Sequence, residues 1–168
     1  AVKKGKSFVT NGPKMKFSAG GKEAGDVVIT ADGRQIEWKI EAFSPLPVEK
    51  VEIIVNGKVA WSGAGFNGKR IFTGKINALA GGWIAARIYG GAVQPPFADS
   101  YPFAHSAPIW FNRVGSSDAA SAKSSAQDLL RWLDVAERRM NQAYEGATVA
   151  NLRKRFADAR RILEVKAK

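Results

Sequence analysis

Residues 34–43 read RQIEWKIEAF and alternate apolar with charged side chains. The apolar face consists of Ile36, Trp38, Ile40 and Ala42, and the charged face of Glu37, Lys39 and Glu41. Because successive side chains of a strand point to opposite faces, this period predicts a strand with one buried and one wet face, as in an antiparallel sheet. The stretch therefore indicates a β fold.

Two dipeptides beside such runs predict tight hairpins. Asn56-Gly57 joins residues 51–55 to residues 59–61, and Asp32-Gly33 joins residues 27–30 to residues 34–43. Both dipeptides accept positive φ at two successive positions, which a type I′ hairpin turn needs. We expect antiparallel pairing across each turn.

Further short runs complete a β domain over residues 1–116. They are residues 7–10, 14–18, 70–76, 83–89 and 109–114. The Gly-rich residues 62–69 predict a mobile hairpin loop, and the four prolines of residues 92–108 predict a long ordered loop because proline cannot donate into a ladder. Short strands at this spacing without helical periodicity favour an immunoglobulin-like antiparallel β-sandwich.

Residues 117–168 predict an α-helical hairpin appended to the sandwich. In the second helix Leu152, Phe156, Ala159 and Leu163 form one apolar stripe, and Glu145-Gly146 provides a C-cap for the first helix. Two helices joined by so short a connection run antiparallel. Their apolar stripes could pack on each other, on the sandwich or on another protein.

The charge balance is strongly basic, with 26 Lys and Arg against 15 Asp and Glu. The candidates for a basic surface in the second helix are Arg153, Lys154, Arg155, Arg160 and Arg161. Such a surface attracts nucleic acid, anionic lipid or an acidic domain, but a solvated helix face is the commoner explanation, so we expect no specific nucleic-acid binding.

Cysteine usage does not decide the cellular compartment, because the chain has no cysteine and hence no disulfide that would indicate an oxidising environment. Many exported bacterial proteins also lack cysteine, and we favour a bacterial exported or periplasmic location over the cytoplasm. No apolar run reaches the roughly 18 residues that predict a membrane-spanning helix.

Catalytic chemistry is hard to assemble from this chain. His105 is the only histidine, cysteine is absent and the acids are scattered, so we predict neither a catalytic residue nor a metal ligand. Residues 63–68 match the pattern GxGxxG, but the segment KRIFT that follows predicts a strand where a dinucleotide site needs a helix. This glycine pattern is therefore not a phosphate loop.

The five tryptophans could stack on sugar rings, but core packing is the preferred role for four of them. Trp38, Trp83, Trp110 and Trp132 lie in apolar runs. Trp61, beside the Gly-rich segment, is the one that we select as a candidate for exposure and ligand contact.

Five segments, in this order, resemble the C-terminal region of PHP-type metallohydrolases of the CehA/McbA family. They are residues 5–13 (GKSFVTNGP), 44–57 (SPLPVEKVEIIVNG), 82–87 (GWIAAR), 103–110 (FAHSAPIW) and 128–134 (DLLRWLD). In that family a TNGP segment follows the metal-binding domain, and a trailing β-domain carries the other strand segments. The likeness covers most of residues 5–140.

The resemblance implies a parent hydrolase whose divalent-metal site lies on an N-terminal α/β domain, with this chain beginning at the boundary before Gly5. No metal-ligand motif of the family maps onto this chain, so no cofactor is expected here. His105 matches a histidine of the family pattern. It either anchors the Pro-rich segment, or it faces the catalytic domain together with Asn11 and contacts substrate.

Three hypotheses for function follow. The first is a non-catalytic accessory domain that packs on the N-terminal catalytic domain of the parent protein, which predicts an apolar patch near the first strands. The second is an independent β-sandwich that recognises a glycan or anionic polymer through Trp61 and the basic face. The third, a free-standing enzyme, requires catalytic groups that we do not find in the sequence.

Overall fold

In the computed structural model, which describes residues 3, 5–96, 100–144 and 147–168, strands occupy the first part of the chain and helices the last. The chain divides into two units, Ala1–Asp118 and Ala119–Lys168. The strands are β1 Phe8–Thr10, β2 Lys14–Ala19, β3 Lys22–Glu23, β4 Val27–Val28, β5 Gln35–Val55, β6 Lys58–Asn77, β7 Gly82–Tyr89, β8 Phe103–Ser106 and β9 Ile109–Phe111. The helices are α1 Ala119–Ala143 and α2 Ala147–Lys166.

A long hairpin, β5 and β6, forms the centre of the first unit. Asn56 and Gly57 make its turn with φ of 48° and 82°, the left-handed values that the sequence predicts. Antiparallel pairing extends from Val55 opposite Lys58 to Gln35 opposite Asn77. The predicted Asn-Gly hairpin is confirmed, and its arms are longer than the sequence indicates.

The hairpin bends where β5 contains two prolines. Pairing with β6 is interrupted between Ser44 and Val48, the stretch that contains Pro45 and Pro47. Proline has no N–H to donate, so this stretch of β5 leaves the ladder. The strand continues beyond the interruption in a different layer.

Each arm of the hairpin therefore contributes one half to each of the two layers of a sandwich. The first half of β5 pairs with β2, and its second half pairs with β7. The resulting sheet has the order β1-β8-β7-β5-β2-β3, with β6 on β5 and with β4 parallel to β9 on β7. Buried apolar side chains such as Trp38, Ile53 and Ile84 fill the space that the curled sheet encloses. The prediction of a mainly β, immunoglobulin-like antiparallel sandwich followed by a helical hairpin is confirmed.

The predicted hairpin at Asp32-Gly33 is wrong. Its first strand, β4, pairs in parallel with β9, because Val28 and Thr30 bond to Asn112 instead of to β5. Gly33 still adopts a φ of 73°, but its N–H donates to the carbonyl of Ala78 at 2.9 Å. The turn thus connects to the segment after β6.

The predicted loop over residues 62–69 is also wrong. These residues lie within β6 and pair with the second half of β5 and with Phe43 and Ser44. Gly63 and Gly65 serve close packing, since a Cβ on Gly63 would overlap the Trp61 ring and one on Gly65 the carbonyl oxygen of Val48. Glycine in a strand can mark a close approach of another backbone, as it does here.

The predicted loop over residues 92–108 contains an unpredicted strand. β8 pairs with β7 and β1, and it carries His105 opposite Arg87 and Val9. Residues 92–96 have no strand or helix, and residues 97–99 lie outside the described residues. The prolines flank β8 and leave its own N–H groups free to pair.

The second unit is the predicted antiparallel helical hairpin. The Nζ of Lys123 near the start of α1 donates to the carbonyl of Lys168 at 2.8 Å, which requires antiparallel helices. The stripe of α2 is half-buried, and Met140 and Val149 are buried. Of the three alternatives for these stripes, packing on each other is therefore observed. The capping residues 145 and 146 lie outside the described residues, and neither helix is long and apolar enough to cross a membrane.

One predicted core residue of α1 faces solvent. Trp132 is 70% exposed and Leu129 is 53% exposed, whereas Leu130 and Leu133 are half-buried. The apolar positions of α1 cover a wider arc than one partner helix can bury. The prediction of core packing for Trp132 is wrong.

Two glycines of β6 provide a matched test of the close packing between the hairpin arms. We expect Gly65→Ala to lower the free energy of unfolding by about 3 kcal/mol, because its Cβ overlaps backbone atoms of β5. Gly68→Ala meets no atom within 4 Å and has a φ of 72°, so it loses only about 1 kcal/mol to left-handed strain. Urea denaturation measures both values. Equal losses in the two variants would contradict the packing.

Candidate functional site

The turn between β1 and β2 is held by the side chain of Thr10. Its hydroxyl lies 2.6 Å from the carbonyl oxygen of Pro13 and 3.0 Å from that of Phe103, and it accepts the N–H of Gly12 at 2.9 Å. Pro13 is fully buried. The TNGP segment is therefore a compact structural turn.

Asn11, a candidate for substrate contact, bonds this turn to the strand of His105. Its side-chain amide donates to the carbonyl of Tyr101 at 2.9 Å, and its side-chain oxygen accepts the N–H of Phe103 at 2.8 Å. Both polar atoms of the side chain thus have backbone partners. The geometry assigns Asn11 a role in positioning the start of β8.

A groove opens beside this turn. Its volume is about 1030 Å³. It is lined by Phe8, Thr10, Asn11, Gly12, Lys14, Met15, Lys16, Glu41, Ala42, Phe43, Lys69, Arg70 and Ile71. We call it the β1–β2 groove.

Exposed apolar side chains distinguish the β1–β2 groove from an ordinary surface depression. Phe8, Phe43 and Ile71 are 40%, 39% and 59% exposed. Large apolar side chains that cluster at a surface mark contact sites more often than isolated ones do. The apolar patch expected near the first strands is present in this groove.

The rim of the groove is cationic. Lys14, Lys69 and Arg70 have no ion-pair partner within the described part of the chain, and Lys16 pairs with Glu23 at 3.1 Å. The one carboxylate of the lining, Glu41, accepts from Lys39 at 2.9 Å, and this hydrogen bond lowers the pKa of Glu41. The groove therefore suits a ligand surface that is apolar with acidic margins.

His105 lies in a different place from Asn11. It belongs to the outer face of β8, half-buried, with Nδ1 at 2.8 Å from the carbonyl oxygen of Ser106. It borders a separate cavity of about 250 Å³ with Arg87, Tyr89 and Tyr101. The two candidates are joined through residues 101–103 but do not line one cavity.

A buried carboxylate that sequence reasoning missed lies under this second cavity. Glu52 is 5% exposed; it accepts from Arg87 Nη2 at 2.5 Å and from the Tyr89 hydroxyl at 3.0 Å. The Arg87 guanidinium also stacks on the Tyr89 ring at 4.8 Å. In the sequence Glu52 is one of several charged residues in the stretch VEKVEIIV, so the hydrophobic pattern does not distinguish it from the exposed charged residues beside it.

Glu52 stays ionised despite its burial. Burial acts to raise its pKa, but the hydrogen bonds from Arg87 and Tyr89 and the charges of Arg87 and Lys50 outweigh it. The pKa of Glu52 therefore lies below the ordinary value of 4.5. This is the chemistry of a cross-strand ion pair, and a general acid would need the opposite shift.

Trp61, selected for exposure, is half-buried in an aromatic cluster. Its ring centroid lies 4.8 Å from that of Trp38 and 5.9 Å from that of Phe72, and it packs against the core. Stacking on a sugar needs a free ring face. The structure thus gives Trp61 the core role that we reserved for the other tryptophans.

The basic candidates of α2 fall into two groups. Arg160 bonds to Asp134 at 2.7 Å and to Glu137 at 3.0 Å, which ties α2 to α1, and Arg161 pairs with Asp158 at 3.3 Å. Arg153, Lys154 and Arg155 are exposed, although the Arg153 guanidinium donates to the side chain of Asn141 at 3.0 Å. The structure therefore leaves a smaller free basic patch than the sequence predicts.

The described residues contain no group of three or more His, Asp or Glu side chains that could hold a metal ion. The divalent metal that the resemblance implies for the parent protein thus finds no fitting ligand set in this part of the chain.

Comparison with known proteins identifies no family. No protein-family model matches the chain, and no curated protein matches it at a significant level. Among solved structures it is similar to the CARDB domain of the PF1109 protein from Pyrococcus furiosus, whose NMR structure shares 13% identity at a TM-score of 0.36 over 59% of this chain and 94% of that domain. The crystal structure of that domain in complex with di-metal ions also shares 13% identity at a TM-score of 0.36, over 60% of this chain and 90% of that domain. A likeness of this size carries neither function nor metal binding over to this chain.

Asn11 offers a test of structural against ligand-binding roles. We expect Asn11→Ala to lower the free energy of unfolding by about 2 kcal/mol, because it leaves two backbone groups of residues 101–103 without a partner. Asn11→Asp keeps the acceptor for the Phe103 N–H and loses about half as much. Chemical denaturation measures both. Wild-type stability of Asn11→Ala would mean that the side chain is kept for something other than this turn.

Proposed function

We propose that this chain is a non-catalytic accessory domain of a PHP-type, metal-dependent hydrolase, and that it packs on the catalytic domain through the β1–β2 groove. The observation that carries the proposal is the groove itself, an apolar surface with Phe8, Phe43 and Ile71 exposed. The resemblance of residues 5–13 and 44–57 to the CehA/McbA family names the occupant. The metal and the catalytic groups belong to that domain.

The position of the groove supports this occupant. Phe8 is three residues from Gly5, where the resemblance begins, and three residues span at most about 10 Å. The connection to a domain that precedes Gly5 would therefore lie directly beside the groove. Its contact surface would be apolar with acidic margins, to complement Lys14, Lys69 and Arg70.

The TNGP turn supports an accessory role as well. In this chain the polar side-chain atoms of Thr10 and Asn11 form hydrogen bonds with backbone groups of the turn and of residues 101–103. These contacts rigidify the wall of the groove from which Phe8 projects. The segment would then act by holding the contact surface in shape, while substrate chemistry takes place elsewhere in the parent protein.

The alternative, a sandwich that binds a glycan or an anionic polymer, retains one supporting observation. Arg153, Lys154 and Arg155 are consecutive and exposed. The aromatic platform that this alternative needs is weaker, because the ring of Trp61 packs on Trp38 and Phe72. We therefore favour docking through the groove.

Calorimetric titration of this chain with the separately produced metal-binding domain of a CehA/McbA-family hydrolase tests the proposal. We expect a complex whose affinity falls roughly 30-fold to 1000-fold in the double variant Phe8→Ser, Phe43→Ser, since each buried phenyl ring contributes about 1–2 kcal/mol. Val114→Ser is the control, because Val114 is 65% exposed and lies outside the groove. Absence of a complex, or equal binding by the double variant and the control, would refute docking through this groove.

A further inference from the structure

The strand β6 is a long free edge of the sandwich. It runs for 20 residues and, among the strands that the structure describes, pairs with β5 alone. The terminal strands of the sheet path, β1 and β3, are three and two residues long. An edge strand presents a row of unpaired N–H and C=O groups that can template an added strand. This edge is long, and its lysines hinder pairing with a like-charged strand more than with an acidic one.

The charges of β6 are all of one sign. Lys58, Lys69, Arg70 and Lys75 lie on the strand, and it contains no Asp or Glu. Self-pairing of two β6 edges would bring cations together, which opposes a second copy of this chain as the occupant. Charge complementarity instead favours an acidic strand.

In the C-terminal half of β6, Lys69 and Lys75 lie on one face of the strand. Lys69, Ile71, Thr73 and Lys75 pair with Phe43, Glu41, Lys39 and Glu37 of β5, the positions of the outer face. Ile71 is 59% exposed, and Lys75 makes a single solvent-exposed ion pair with Glu37 at 3.2 Å. The two lysines are six residues apart, about 20 Å along the strand.

We propose that residues 69–77 of β6 accept an extended acidic segment of another protein as an added strand. Backbone hydrogen bonds to the free edge supply the affinity, and side chains at alternate positions supply the specificity. The matching segment carries carboxylates six residues apart, opposite Lys69 and Lys75. Between them it carries an apolar and a small or β-branched residue, opposite Ile71 and Thr73.

This surface is distinct from the docking that we propose for the groove. Thr73 and Lys75 lie outside the groove lining, although Lys69 and Ile71 belong to both. The two proposals can fail separately, because the groove is tested with variants of Phe8 and Phe43 and the edge with variants of Lys69 and Lys75.

Three synthetic peptides test strand addition to the full chain. The acidic probe has the sequence pattern of the matching segment, with two Glu six positions apart and an apolar and a small or β-branched residue between them. The basic probe replaces both Glu by Lys. The proline probe keeps both Glu but places Pro at the residues whose N–H groups would donate to the edge. We expect the acidic probe to bind at least roughly tenfold more tightly than the other two. It should also slow amide exchange only within residues 69–77.

A charge swap on the protein completes the test. The double variant Lys69→Glu, Lys75→Glu should prefer the basic probe. Lys154→Glu with Lys166→Glu, on α2, changes the net charge equally and should still prefer the acidic probe. Equal binding of the proline and acidic probes would mean attraction by charge alone, as for a polyanion such as nucleic acid, and would overturn the proposal. So would failure of every probe to bind, a swap of preference in the α2 variant, or dimerisation of the free chain through β6.

Discussion

The withdrawal of β5 from its ladder at Pro45 and Pro47 is the constraint on which the rest of the sandwich depends. Neither proline can donate a hydrogen bond, so pairing with β6 stops after Ser44 and resumes at Val48. The hydroxyl of Ser44 donates to the carbonyl of Leu46 at 2.6 Å and so supplies a polar contact inside the interrupted stretch. Because the chain changes direction there without ending, a single hairpin enters both layers, and β2 and β7 each find a different half of the same strand as their partner.

Both candidate interaction surfaces arise from this bend. Phe43 and Lys69 pair with each other one position before the last regular pair, Ser44 with Gly68. Both residues line the β1–β2 groove together with residues of the turn between β1 and β2. β6 follows β5 around the bend with only one neighbour, which leaves its other edge free over both layers. The groove and the free edge thus both follow from the interruption of β5.

The sequence predicts well those features that depend on local chemistry. Alternation in residues 34–43 and the Asn56-Gly57 turn follow from side-chain period and backbone preference alone, and both are observed. Residues 62–69 were predicted as a loop because glycine is common in loops, whereas Gly65 is needed where the carbonyl of Val48 approaches, a contact between distant residues. Trp61 and Trp132 exchange their expected environments for the same reason, since burial depends on which partner strand or helix is present. Of the candidate site, the sequence singled out Asn11 for substrate contact, which stays a prediction, and its hydrogen-bond partners at residues 101–103 could not be read from spacing.

The central claim is that one bent hairpin joins the two layers into a single cooperative unit, which keeps the groove and the edge in fixed shape. Native-state hydrogen exchange across β5 tests it most directly, because it reports the free energy of opening at each amide. The account predicts that amides of residues 35–43 and of residues 51–55 open with the same free energy, equal to that of global unfolding. If the layer that contains β2 opened at a free energy lower by more than about 1 kcal/mol while the layer that contains β7 stayed protected, the layers would be separate units and the claim would be contradicted.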